Sequence, residues 1–320
     1  MSTITPISGW MLDTVVEHDE YHPGFAGHYM RASDERRQAI AAFFSTGGSP
    51  QGLENTVGGY LAQANHRSIL TRAFGHVPLG FRRALGKSGA QPHDPRYYAD
   101  LYHSLAHGLS HVVTAVMHAT RLDPERLEII RMLPVDLCDS RIVERIKDLQ
   151  HARDLIVVAD LFEKRAGNRQ GLVEALLSSR ASLEATVRRW CRQLEYVDQP
   201  IEECAVYRPI RNGVELHEMA RKYQNCGRNY TASTLTGESA FGEFIALDDR
   251  RVLLCFEKSE GSWTLDGVYV RRNRRVPADL DEQARDFVRM HDIPDRWEVR
   301  HSDDDVAGAL GRLIRPHSEW

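Results

Sequence analysis

At 320 residues the chain is too long for one small core and has the length of about two domains. With 42% hydrophobic and 27% charged residues and a net charge of -4, it falls outside the disordered and fibrous classes, and its overall charge points to no particular partner. The five cysteines, at 138, 191, 204, 226 and 255, are odd in number and lack paired spacings, which argues against a disulfide framework or a zinc knuckle.

Residues 1–30 mix His18, His22 and His28 with Pro6, Pro23 and glycines, without a sustained period, and are expected to form an irregular arm. Helical patterning then runs to residue 198. It covers Asp34 to Phe44 before Gly47-Gly48, Pro78 to Leu85 before Gly86, and one long helix from Pro95 to Thr120. Asp123-Pro124 pairs a cap residue with proline at the first helical position, and Leu133-Pro134 ends that helix. Ile142 to Lys164 and Leu172 to Tyr196 follow, separated at Arg165-Ala166-Gly167-Asn168.

After Tyr196, Asp198-Gln199-Pro200 and Arg208-Pro209 read as a connecting segment. Glu215 to Cys226 is again helical. Ala240 to Leu247, Arg251 to Glu257 and Ser262 to Val270 are β-rich and separated by turn residues, which predicts an antiparallel meander. A helix from Asp279 to His291 follows Pro277, and the tail holds a short strand at Trp297 to Val299 and the acidic Asp303-Asp304-Asp305. The expected fold class is α+β. An all-helical domain at 31–198 precedes a small domain at 199–320, whose three-stranded antiparallel sheet is flanked by helices.

Met1-Ser2-Thr3-Ile4-Thr5-Pro6 is no basic segment ahead of an apolar core, and stretches such as Leu155 to Val158 are far below membrane-spanning length. A cytoplasmic protein with reduced thiols and no membrane contact is expected. No cofactor is expected either.

Leu216 to Tyr230 reads LHEMARKYQNCGRNY and is followed by Gly237-Glu238-Ser239-Ala240-Phe241, a strand pair, Trp263 and the basic Asn273-Arg274 segment. In that order, over about residues 208–291, the chain resembles the core of the PcfJ-like family, proteins associated with conjugative plasmids and other mobile elements. The resemblance implies a link to conjugation or mobile DNA and carries over no catalytic residue. In that family the cysteine is usually followed by an aliphatic residue, whereas Gly227 follows Cys226 here.

A thiol nucleophile at Cys226 would need a base, and His217 is the nearest histidine in sequence. Nine residues at about 100° each put the two on opposite faces of a continuous helix. Leu216, Met219, Ala220, Tyr223 and Cys226 share one stripe, so the plain reading is a buried cysteine at a helix end, with Gly227 as the left-handed stop.

His103, His107 and His111 recur every fourth residue, and the first two are close enough on a helix to share a metal ion. The third stands two turns from the first, roughly 12 Å, too far for one ion. The plain reading is a histidine-bearing face packed on a neighbouring element. Arg96 to His103 and Arg145 to His151 fit the loose Arg-x(4-6)-His pattern of HEPN-type ribonucleases, although Tyr97 occupies a place those enzymes more often give to a polar residue. Such a pattern supports metal-free RNA cleavage only where two copies meet.

The run Arg271-Arg272-Asn273-Arg274-Arg275 leaves a strand bearing Trp263 and Tyr269, which combines phosphate-seeking cations with flat rings. Alternation puts Trp263, Leu265, Gly267 and Tyr269 on one face. Between Arg208 and Pro277 there are twelve Lys/Arg against nine Asp/Glu, so this segment is positive in a negative chain. The reading is nucleic-acid or nucleoprotein binding through Arg271, Arg272, Arg274 and Arg275, with Arg228 and Tyr230 as companions. The alternatives are a nuclease using His103 or His151, a cysteine hydrolase using Cys226, and a protein-interaction component of a plasmid transfer or defence complex.

Overall fold

The computed structural model describes residues 7–47 and 57–295. The chain divides into two compact units, residues 1–152 and 153–320. The predicted strand at Trp297 to Val299 and the acidic Asp303 to Asp305 lie outside the described residues.

The first unit is helical. Its elements are α1 (Trp10–Tyr21), α2 (Phe25–Arg31), α3 (Asp34–Ser45), α4 (Val57–Gln63), α5 (His66–Phe74), α6 (Phe81–Gly86), α7 (Pro95–Ala106), α8 (Ser110–His118), α9 (Pro124–Met132), α10 (Ser140–Val143) and the start of α11 (Leu149–Ala166). The segment expected to be an irregular arm is therefore helical from Trp10. Its helices are short and each is anchored by one apolar pair, Met11 with Val15 and Phe25 with Tyr29, which is too sparse to show as a period. The long helix expected from Pro95 to Thr120 is two helices, because His107 and Gly108 break it. A Cβ on Gly108 would run into the Ser104 carbonyl oxygen. Asp94 and Asp123 accept the backbone N–H groups of Arg96 and Arg126, each with proline at the first helical position.

Helix α3 runs through the core of this unit, with Ala39 to Phe43 buried. Gln38 is fully buried there. Its amide donates to the Gly89 and Gln91 carbonyls at 2.8 and 2.7 Å and accepts from the Tyr98 hydroxyl at 2.7 Å, so its polar atoms are satisfied.

The second unit adds α12 (Arg169–Ser178), α13 (Leu183–Cys191), α14 (Gly213–Tyr223), α15 (Thr231–Thr236) and α16 (Ala278–Arg289) around one antiparallel sheet. The sheet has four strands, not the expected three, in the order β1 (Tyr207–Pro209), β2 (Ser239–Ile245), β3 (Arg251–Ser259) and β4 (Ser262–Tyr269). The missed strand is three residues long and ends in proline, which only an edge position tolerates. Residues 153–198, expected with the helical domain, belong to the sheet-bearing unit. The Tyr196 N–H donates to the Arg211 carbonyl at 2.6 Å, and Val214 donates to Arg192 at 3.0 Å.

The two sheet faces are covered by different helices. On one, Leu280, Ala284, Phe287 and Val288 of α16 pack on Phe244, Val252, Leu254, Phe256 and Leu265. On the other lie α14, α15 and the 3-10 turn Gly227–Tyr230, with Tyr230 edge-on to Phe241 at 5.3 Å. Glu260 and Gly261 both have positive φ, 50° and 85°, and form the two-residue hairpin turn between β3 and β4.

Tyr207 closes over Gly242, where a Cβ would overlap its ring. Gly242→Ala is therefore expected to push β1 off the sheet edge at a cost of about 2 kcal/mol. A lowered thermal midpoint with unchanged helical circular dichroism is the expected result.

Candidate anion site

The register of β3 and β4 slips by one residue between Cys255 and Phe256, where Asp266 is the extra residue. Beyond this bulge the side chains of β4 exchange faces. Trp263 and Leu265 share one face as expected, the one under α16, but Val268 and Val270 join them there, while Tyr269 turns to the α14 side. The shared aromatic face predicted by simple alternation is thus divided in two. Trp263 sits under the Lys258 ammonium, 5.3 Å from it, and packs against the α16 core. Neither ring lines the arginine cluster described next.

The same slip sets Leu253 opposite Tyr269, and just beyond that pair Arg251 and Arg271 line one pocket. The exit of β4, the start of β3, the end of α14 and the start of α16 enclose a pocket of about 690 Å³. Tyr223, Val270, Pro277 and Leu280 supply its apolar surface, and Lys222, Arg250, Arg251, Arg271, Arg272, Arg274 and Arg275 its cations. Sequence reasoning singled out the last four and missed the other three. The missed signal was register, because antiparallel pairing brings the start of one strand beside the end of the next.

Three carboxylates attend these seven cations. Glu243, only 5% exposed, receives Lys222, the Tyr223 hydroxyl at 2.8 Å and Arg251 at 3.0 Å. Burial pushes the Glu243 carboxyl up, but its hydrogen bonds from Lys222, Tyr223 and Arg251 and the Lys222 charge outweigh this and hold it below the ordinary value. Arg250 is held by Asp248 at 2.6 Å and by Asp279. Arg271, Arg274 and Arg275 are exposed and make no ion pair among the described residues. Arg272 donates from Nε to the Gln224 side chain at 2.6 Å. The pocket therefore keeps an excess of four positive charges at its rim.

The backbone displays these arginines at a cost. Arg272 and Asn273 are both left-handed, with φ of 63° and 49°, and Gln224, which stops α14, has φ of 52°. Non-glycine residues in that region are disfavoured by about 1 kcal/mol each.

The remaining candidates are scattered. Helix α14 stops at Gln224, not at Gly227, so Cys226 leaves the apolar stripe and is exposed, whereas Leu216, Ala220 and Tyr223 are buried as expected. His217 is half-buried on α14, and the charges acting on it are those of arginines. Cys226 instead stands near Tyr230, whose half-buried hydroxyl is pushed up first by burial. Arg228 and Tyr230 are absent from the pocket lining.

In the first unit the His103 and His107 rings are 5.8 Å apart, while His111 lies on the next helix, near His118 and Cys138. Among the described residues no group of three or more His, Cys, Asp or Glu side chains is arranged to hold a metal ion. Arg96 is extended over Asp100 at 3.6 Å and is 86% exposed. His151 is buried, and its Nδ1 accepts the Lys147 N–H at 3.2 Å, so it is fixed at the start of α11. Arg145 donates to the Arg141 carbonyl on a separate helical segment.

No helix among the described residues is long and apolar enough to cross a membrane. No family model, curated protein or solved structure matches the chain.

Proposed function

We propose that the second unit binds the phosphate backbone of a nucleic acid, alone or within a nucleoprotein, at the pocket rimmed by Arg271, Arg272, Arg274 and Arg275. The observation that carries this reading is the group of three exposed arginines without ion-pair partners among the described residues, beside four more cations in one concave site. Guanidinium groups match phosphate oxygens in a bidentate geometry, and such clusters supply sequence-independent affinity. Trp263 and Tyr269 do not line the pocket and Tyr223, which does, is buried, so among the described residues no exposed ring stands at the rim to stack on a base. Contacts of this kind position a strand without reading its sequence. The resemblance to PcfJ-like proteins adds a setting in mobile DNA.

The test is binding of the full chain to oligonucleotides of unrelated sequence across a salt series. Affinities that agree between sequences and fall linearly with the logarithm of salt are expected, with a slope of about -0.7 per phosphate contact on single strands. Salt-independent or undetectable binding overturns the reading.

A further inference from the structure

A second group of cations lies on the other flank of α14, outside the pocket. Arg188 and Arg192 are four residues apart at the end of α13, and His217 and Arg221 are four apart on α14, so each pair shares one helix face. The helices meet closely. Val214 at the start of α14 donates to the Arg192 carbonyl at 3.0 Å, and a Cβ on Gly213 would stand 2.7 Å from the Arg192 Cα. Arg228, from the 3-10 turn after α14, completes the group.

None of these four arginines makes an ion pair among the described residues, and the Nε atoms of Arg188 and Arg192 are shielded from solvent without a hydrogen-bond acceptor. A shielded guanidinium N–H without an acceptor is costly, and like charges from three elements at one corner add to that cost. A favourable interaction with the α13 carboxyl end accounts for Arg188 and Arg192 alone. It does not account for Arg221 and Arg228, whose charges act on the same His217 imidazole. His217 reports the excess. Its imidazole is held below the ordinary value first by burial and then by Arg192, Arg228, Arg221 and Arg188.

We propose that the corner formed by Arg188, Arg192, His217, Arg221 and Arg228 is a second anion seat that binds a phosphate group, separate from the pocket. Its four arginines offer the donors a tetrahedral oxyanion needs, and His217 adds one more once an anion lets it take up a proton. Arg221 precedes the pocket residue Lys222, and His217 lies about 7.5 Å before Lys222 along the helix axis. One strand crossing α14 would reach both sites. A free phosphate ester would reach the corner alone.

The experiment follows the titration of His217 in the full chain with isotope-labelled histidine, assigned through His217→Gln, with and without millimolar inorganic pyrophosphate. Bound pyrophosphate is expected to raise the midpoint by about one pH unit, the effect of a new opposite charge nearby. The rise is expected in the wild type and in Arg271→Gln/Arg274→Gln/Arg275→Gln, and is lost in Arg188→Gln/Arg192→Gln. Arg221→Gln, a single change at an exposed residue, is expected to reduce it and keeps the test decisive if the double variant does not fold. A midpoint that ignores pyrophosphate in the wild type, or moves equally in the corner variants, overturns the seat. A single-stranded deoxythymidine oligonucleotide is the second arm. A rise with both probes assigns the seat to a strand phosphate, whereas a rise with pyrophosphate alone assigns it to a free phosphate ester and leaves the pocket to its own salt-series test.

Discussion

Replacing Arg271, Arg274 and Arg275 together with glutamine is expected to weaken binding of a single-stranded oligonucleotide about a hundredfold at ~0.1 M salt and to flatten the salt slope by about 2. All three residues are exposed and make no ion pair among the described residues, so the change removes charge without removing a structural contact. Each phosphate contact on a single strand contributes about 0.7 to the slope, and three lost contacts account for both figures. Arg272 is left in place because its Nε holds Gln224. The thermal midpoint is expected to stay within about 2 °C of the wild type, as for surface changes away from packed features. Equal affinities for variant and wild type across the salt series would place the strand elsewhere on the molecule.

The second large effect is on stability. Glu243→Gln is expected to cost about 3 kcal/mol and lower the midpoint of this unit by about 9 °C, because the 5% exposed carboxylate is the shared partner of Lys222, Tyr223 and Arg251. The figure stays at the lower end for a broken buried pair, since both cations are 49% exposed and regain water. The pH dependence has a definite sign. Glu243 is held below its ordinary value in the fold, so its contribution is complete above the unfolded value, near ~4.3, and is lost as the pH falls through the folded value. Urea unfolding should show the widest gap between wild type and variant near neutral pH and a closing gap below about pH 4. A gap that stayed constant down to pH 3 would mean that the carboxylate charge contributes nothing.

The sequence carried the main strands and helices of the second unit because their patterns are local. Alternating apolar residues, the Glu260-Gly261 turn and the Leu216, Ala220, Tyr223 stripe are legible without tertiary information. What escaped depends on partners. The strand Tyr207–Pro209 exists only as an edge on β2, and the bulge at Asp266 shows only in the pairing of β4 with β3. That one extra residue decides which rings accompany the arginines. Glycine is the usual left-handed residue and so points to Gly227 as the helix stop, yet Gln224 takes that role, and its side chain accepts a hydrogen bond from Arg272 in doing so. The corner of Arg188, Arg192, His217, Arg221 and Arg228 joins residues up to forty positions apart, a distance no motif spans.

The hydrogen bond from Arg272 to Gln224 joins two left-handed positions that are 48 residues apart in sequence. Straightening the β4 exit withdraws the donor from the residue that ends α14. Loop opening and helix fraying are thereby coupled through one exposed hydrogen bond, worth about 1 kcal/mol. The turn that carries the arginines is thus positioned before any ligand arrives, whereas the exposed side chains of Arg271, Arg274 and Arg275 lose their rotamer freedom only when a polyanion binds.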